Sequence, residues 1–464
     1  MDRNLFLRDV RYGAAGLALG MPTIPLLVHL PAAYAEGLGL GLTATGAALF
    51  AARALDVITD PIIGIASDRL KSPWGRRKPL ILVGAIIAAV GALYLLGPQQ
   101  GVGPWYLAIW AAVMYLGWTL IMIPYQAWGA DLSNDYAGRT RVTSVREGFM
   151  LGGILLAGAI PAAAVALGYD ERVALLFVAW AAIAMGAPLF VLLLVSVAEP
   201  MPKVVGTVAV VSPWRDMRSL IGNRPFCLLL TGWFINNLAN GIPAVLFILY
   251  MKHVLGADEL TRGLLTFSYF LAGVCGIPVW NWLSGRWDKH RVWCAAMTLA
   301  CLAFAFAPLL GAGDIAAFFF ICLASGFALG ADMAIPPSMQ ADVAEYEYWR
   351  TRHDRTSLMF GFWSMTVKLA FAFSVLIAFP SLEWFGFQID KPLGSDGVLA
   401  LSMIYAAVPV VLKVLAIALI WRHPLTSRRQ TIVRERLFTL ENRIEDPDRH
   451  VAACNPHNVG FPHA

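Results

Sequence analysis

Apolar stretches of membrane-crossing length alternate with short polar loops along almost the whole chain. A helix that crosses a bilayer needs about 20 mostly apolar residues. Such stretches lie near 12–35, 41–66, 79–97, 104–130, 147–169 and 173–198. After a polar interval, six more follow near 225–252, 261–284, 292–311, 315–340, 357–381 and 397–421. The interval 199–224 holds Lys203, Arg215, Arg218 and Arg224 and reads as a linker. The pattern therefore predicts an all-α membrane protein with twelve transmembrane helices in two six-helix pseudo-repeats. The bundles span 1–198 and 225–421, joined by the cytoplasmic linker 199–224 and followed by a charged cytoplasmic tail, 422–464.

Composition agrees. Of 464 residues, 58% are hydrophobic and only 14% charged, whereas a soluble domain carries about 25% charged residues. Mean hydropathy is +0.65. The net charge of +5 has its source in the loops rather than in a nucleic-acid surface. Basic residues gather after the second segment (Arg69, Lys71, Arg76, Arg77, Lys78), the fourth (Arg139, Arg141), the eighth (Arg286, Lys289, Arg291) and the tenth (Arg350, Arg352, Arg355). The loops after the first, third and ninth segments have no basic residue. Basic loops stay in the cytoplasm, so both termini are expected there, and an even number of spans is required. The N-terminal run beginning near Tyr12 is longer than a signal-peptide core and contains Pro22, Pro25 and Pro31, so it reads as a retained first helix. Cys227, Cys275, Cys294, Cys301, Cys322 and Cys454 form no CxxC pair and are expected to be inert thiols.

The two halves echo each other. Ala130-Asp131 followed by Arg139-Thr140-Arg141 recurs as Ala341-Asp342 followed by Arg350-Thr351-Arg352, both at an offset of 211 positions. A duplicated unit of this kind places a solute site between the halves near the membrane midplane.

Ionisable residues within lipid are costly and mark function. The densest group is Arg53, Asp56 and Asp60 in the second segment. Residues four apart share a helical face, and two carboxylates so placed need a positive partner. A sodium ion, a shared proton or Arg53 would each supply it. Pro61 and Gly64 are expected to loosen the helix and free carbonyls as further ligands. Asp68, Arg69, Gly75, Arg76 and Arg77 form a gating loop. Its arginines are expected to cap helix C-termini and pair with acids across the cytoplasmic gap. Arg146, Glu147, Asp332, Lys368 and Lys413 are further charges in or beside spans, with Asp332 and Lys368 placed to meet and Lys413 to snorkel. His29 reads as a packed histidine, and Trp118, Tyr125, Gln126 and Trp363 as candidate cavity-lining groups.

The run Asp56-Val-Ile-Thr-Asp60-Pro through Ser67-Asp68-Arg69, followed by Trp74-Gly-Arg-Arg-Lys-Pro79, resembles the signature of the glycoside–pentoside–hexuronide:cation symporters. That is the melibiose-permease branch of the major facilitator superfamily. Ala341-Asp-Val-Ala-Glu-Tyr346 and Val367-Lys368 resemble its second-half motifs. The resemblance implies cation-coupled uptake of a sugar, glycoside or related solute. It assigns Asp56, Asp60 and Thr119 to the cation, and Arg146 and Lys368 to the neighbourhood of the solute. The chain departs from the family at Met122, where an acid is usual, at Gln126, where a tryptophan is usual, and near Leu19-Gly20, where a lysine–aspartate pair is missing. Asp332, presented from the opposite half, stands as the substitute acid.

These readings predict a monomeric secondary symporter in a bacterial-type inner membrane, working by alternating access. Its partners are a small solute and the lipid bilayer, with no nucleic acid. No catalytic residues, no metal beyond sodium at Asp56 and Asp60, and no cofactor beyond the coupling ion are expected. The competing expectation keeps the fold and changes the cargo, to an amphiphile such as a lysolipid or to an exported metabolite.

Overall fold

A computed structural model describes residues 3–445 apart from 24, 134, 170, 201–212 and 385–394. The first span is a broken helix: α1 (Arg3–Gly13), α2 (Ala15–Gly20) and α3 (Leu30–Ala32), interrupted by π-helical turns at Pro25–His29 and Ala33–Gly37. It starts well before Tyr12, because an amphipathic turn precedes the apolar run. Its prolines break the regular ladder, as a missing N–H and a ring clash require. His29 sits in one of these turns.

Seven further helices follow: α4 (Leu42–Arg69), α5 (Lys78–Leu96), α6 (Pro104–Leu132), α7 (Tyr136–Ala166), α8 (Glu171–Ser196), the short α9 (Pro213–Ile221) and α10 (Arg224–His253). Then come α11 (Glu259–Ser284), α12 (Lys289–Phe304), α13 (Ile315–Thr351), α14 (Thr356–Trp384), α15 (Ser395–Ile420) and α16 (Ser427–Glu445). Among the described residues, ten helices are long and apolar enough to cross a membrane by length and composition alone. The remaining two spans are the broken first helix and α4, whose Arg53, Asp56 and Asp60 depress its hydropathy. Prolines in the first turns of α5, α6 and α10 cost no hydrogen bond, since those N–H groups have no helical partner. Asn223 caps α10 by accepting the Phe226 amide at 3.0 Å.

Helix contacts repeat between the halves. α4 on α6, α5 on α6 and α2 on α7 and α8 are matched by α11 on α13, α12 on α13 and α10 on α14 and α15. Each half also carries the same internal joint at the end bearing the basic loops. Arg77 holds Asp131 at 2.6 Å, and Lys289 holds Asp342 at 2.6 Å.

The halves meet through α4–α14, α7–α11, α7–α13 and α6–α14. Gly64 backs onto the Ser357 carbonyl and Leu358, while Gly361 backs onto the Asp60 carbonyl. A methyl group at either glycine would run into main chain, so α4 and α14 cross backbone to backbone. Pro61 does not loosen α4, which continues unbroken to Arg69. Gly64 serves this crossing rather than freeing carbonyls.

Apart from the contacts of Lys368 with α4 and α6, the polar ties between the halves among the described residues gather at the basic end. Asp68 accepts the Ser357 and Leu358 amides, both at 2.9 Å, capping α14 with charge where the helix dipole favours it. Arg76 reaches Asp354 at 2.5 Å. Arg139 reaches Asp342 at 3.0 Å and Glu345 at 2.9 Å. Thr140 bonds Ser338 at 2.9 Å. Gly75, at φ 107°, adopts a left-handed turn against Glu199. Away from this end the stripe of α4 that faces α14 emerges: Gly64 is buried, Val57 half-buried, and Arg53 and Phe50 exposed. The bundle is thus closed at the basic end and open at the other.

The tail carries a helix, α16, whose Val433 and Leu437 pack on Tyr348. The tail residues Cys454, His457 and His463, and most of the linker, lie outside the described residues. Cys294, Cys301 and Cys322 are buried, whereas Cys275 is exposed.

Candidate functional site

Asp56 and Asp60 project from α4 toward α6 and α14, and both are buried, at 5% and 0% exposure. Between them sits Lys368 of α14. Its ammonium lies 2.7 Å from Asp56 Oδ2 and 2.7 Å from Asp60 Oδ1, and 3.1 Å from Thr119 Oγ1. Thr119 of α6 lies 2.7 Å from Asp56 Oδ1 and 3.1 Å from Asp60 Oδ1. A hydroxyl has one proton to give, and the shorter contact assigns it to Asp56. Asp60 Oδ1 keeps the lysine, Ser364 of α14 lies close to the carboxylate, and Asp60 Oδ2 is buried without a hydrogen bond of good geometry. Two carboxylates face one ammonium. With both carboxylates ionised the three groups carry a formal charge of −1.

The positive partner is therefore Lys368 and not Arg53. Arg53 makes no ion pair with either acid; its guanidinium lies 4.8 Å from the centre of the Tyr115 ring, one turn from Thr119 on α6. The helical spacing that put Arg53 near Asp56 was correct, but the side chain follows the aromatic face. Lys368, expected beside the solute, instead joins the acid pair. No spacing in α4 could reveal it, because it comes from the other half of the chain.

Asp332 does not meet Lys368. It accepts Trp293 Nε1 at 2.6 Å, Asn240 at 3.0 Å and Asn236 at 3.2 Å, with Lys413 at 3.5 Å. Lys413 is buried rather than snorkelling, and donates to Asn236 Oδ1 at 2.8 Å. This knot joins α10, α12, α13 and α15. A carboxylate with four donors has little capacity left for a solute. Arg146 is likewise occupied. It is buried with Glu147, 2.5 Å away, over Tyr125. Tyr125 and Tyr12 exchange hydroxyl-to-carbonyl bonds of 2.6 and 2.7 Å, and Trp363 stacks on Trp233 with ring centres 4.3 Å apart. Both are packed inside their halves instead of lining a cavity. Trp118 is half-buried on α6. Gln126 is half-buried there, its Oε1 without a partner.

Sequence reasoning missed Asn236 and Asn240. Their signal was the run Asn236-Asn237-Leu-Ala-Asn240 in mid-span, amides that lipid would not tolerate unpaired.

A bundle of two matching halves, closed at one end around a buried charge site, defines a secondary transporter of the major facilitator superfamily. The pattern of the MFS/sugar transport protein family matches residues 11–427. The chain belongs to that family, whose relatives are transporters and not enzymes. It is 24% identical over 443 residues to the sodium-dependent lysophosphatidylcholine symporter 1-A of Danio rerio, covering 86% of this chain and 82% of that one. It is also 24% identical over 456 residues to the inner membrane symporter YicJ of Escherichia coli K12, covering 94% and 95%. Its fold superposes on the E. coli fucose:proton symporter with a TM-score of 0.66 at 14% identity, covering 91% of this chain and 98% of that one.

Proposed function

We propose that the protein is a cation-coupled symporter whose coupling site is Asp56, Asp60, Thr119 and Lys368. One observation supports this above the others: a single ammonium, Lys368, contacts two buried carboxylates, so that full ionisation of the acids would leave one negative charge. One sodium ion or one proton neutralises it. An uncompensated charge opposes passage of the site through the apolar barrier, and its neutralisation lets the halves rock. The basic loops put the closed end in the cytoplasm of a bacterial-type inner membrane, so the open end faces outward and the cation enters with the solute.

For the cargo, the family description supports a sugar or glycoside. The saturation of Asp332 and Arg146 by protein partners favours the second reading, an amphiphile. Relatives that carry lysophosphatidylcholine are compatible with it.

The test is a thermal-stability screen of sugars and lysolipids on purified protein, with and without sodium at two pH values. Binding raises the melting temperature by mass action. Uptake into proteoliposomes should follow an imposed sodium or proton gradient and fail in Asp60→Asn. Full accumulation by that variant would overturn the assignment.

A further inference from the structure

The parted halves of α4 and α14 carry a pattern that the coupling site does not use. At about 100° per residue, Phe50, Arg53 and Val57 lie on the same stripe of α4 as Gly64, within about 40° of its direction. On α14, Lys368, Val375 and Phe379 continue the stripe of Ser357 and Gly361 in the same way. Where the helices cross, these stripes are buried against each other. Beyond Lys368 the stripes are no longer buried: Phe50 is 71% exposed, Val375 44% and Phe379 43%. The result is a cleft between two helices of opposite halves, with its floor at Asp56, Asp60 and Lys368.

The walls named here are apolar except for Arg53. Arg53 is exposed and rests on the Tyr115 ring. Among the described residues no carboxylate pairs with it. Phe50, one turn further out, and Val375 and Phe379 opposite it offer no hydrogen bonds to a polyol. A sugar would leave its hydroxyls unpaired against these walls, at a cost of about 1–3 kcal/mol each in mutational terms. An acyl chain fits them, and a guanidinium with no carboxylate beside it among the described residues calls for an acid.

We propose that this cleft binds a single-chain amphiphile with an acidic headgroup. The headgroup sits on Arg53, and the chain runs outward along Phe50, Val375 and Phe379. The inference rests on the symport reading for one feature only. A cation on Asp60 removes the negative charge about two turns below Arg53 and so favours the acidic head, making cation and amphiphile bind together.

The experiment uses the full chain in nanodiscs of neutral phosphatidylcholine. A lysophosphatidylglycerol with a fluorescent acyl chain is displaced by unlabelled lysophosphatidylglycerol, by monoacylglycerol of the same chain, or by glycerol phosphate. The acidic lipid should bind about tenfold or more tightly than monoacylglycerol, the worth of one charge-assisted hydrogen bond, and glycerol phosphate should compete poorly. Arg53→Gln should erase the preference and Arg53→Lys keep it, while Val375→Trp should weaken both lipids alike. Equal competition by glycerol phosphate, or an unchanged preference in Arg53→Gln, overturns the proposal. An Arg53-dependent preference that ignores sodium and pH would leave the proposal standing and remove the coupling site instead.

Discussion

Lys368 lies 2.7 Å from Asp60 Oδ1, and the two residues are 308 positions apart in the chain. This contact joins the halves at the one buried carboxylate, among the described residues, that retains an oxygen without a hydrogen bond of good geometry. Lys368→Ala should expose two buried acids to each other and destabilise the protein by ~3–5 kcal/mol, as breaking a buried pair does. The double variant Asp60→Asn with Lys368→Ala should lose less than the sum of the singles. Denaturation of the four proteins in one detergent measures the coupling, and strict additivity would refute it.

Thr119 tests the floor of the site differently. Thr119→Val keeps the shape but removes the donor to Asp56, leaving a buried carboxylate oxygen short of one partner at about 1–3 kcal/mol. Thr119→Ser should retain cation affinity, and Thr119→Val should lower it by about tenfold or more. Titration of thermal stability with sodium and with protons reads the difference.

At the basic end, Arg139 should act as a bolt. Arg139→Gln removes buried bonds to Asp342 and Glu345, and loss of one partner of such pairs costs about 2–5 kcal/mol. A cysteine placed at Ser338, which is fully buried beside Thr140, should then react with a thiol reagent at least tenfold faster. Unchanged labelling would show that the closed end does not depend on this pair.

The Asp332 knot is expected to hold its own half together. Asp332→Asn should destabilise, because Lys413 is then left buried with an amide in place of an acid. Adding Lys413→Met should recover part of the loss, as neutral replacement of both partners of a buried pair generally does. Solute affinity in the double variant should match wild type. A loss of binding with normal stability would return Asp332 to the solute.

His423 gives the protein a pH dependence outside its spans. Burial, reinforced by His290 nearby, pushes its pKa down from 6.5 to about 4. The unfolded chain then binds the proton more readily, so stability rises with pH across that interval and falls as pH drops from about 6.5 toward 4. The loss should reach the order of 3 kcal/mol. His423→Gln should flatten the curve of melting temperature against pH.

The spans, the repeat and the Asp56–Asp60 pair were all legible in the chain because each is local or periodic. Hydropathy finds helices, and a four-residue spacing sets a shared face. What escaped was long-range. Lys368 and Lys413 occupy similar mid-span positions, and their partners are decided by packing between helices that no spacing encodes. The break in the first span was signalled by Pro22, Pro25 and Pro31, but its π-turns were not. Arg53 shows a third limit: position on a face is readable, yet the choice between an acid and a ring is made by the neighbouring helix.

The crossing at Gly64 and Gly361 has a mechanical consequence. Where main chain rests on main chain, no interlocked side chains must change rotamer as one half tilts against the other. The contact behaves as a fulcrum with low friction, set one turn from the charge that governs the tilt. A methyl group at either glycine would act as a wedge beneath the lever. It would hold the closed end ajar even with every ion pair of the bolt still present.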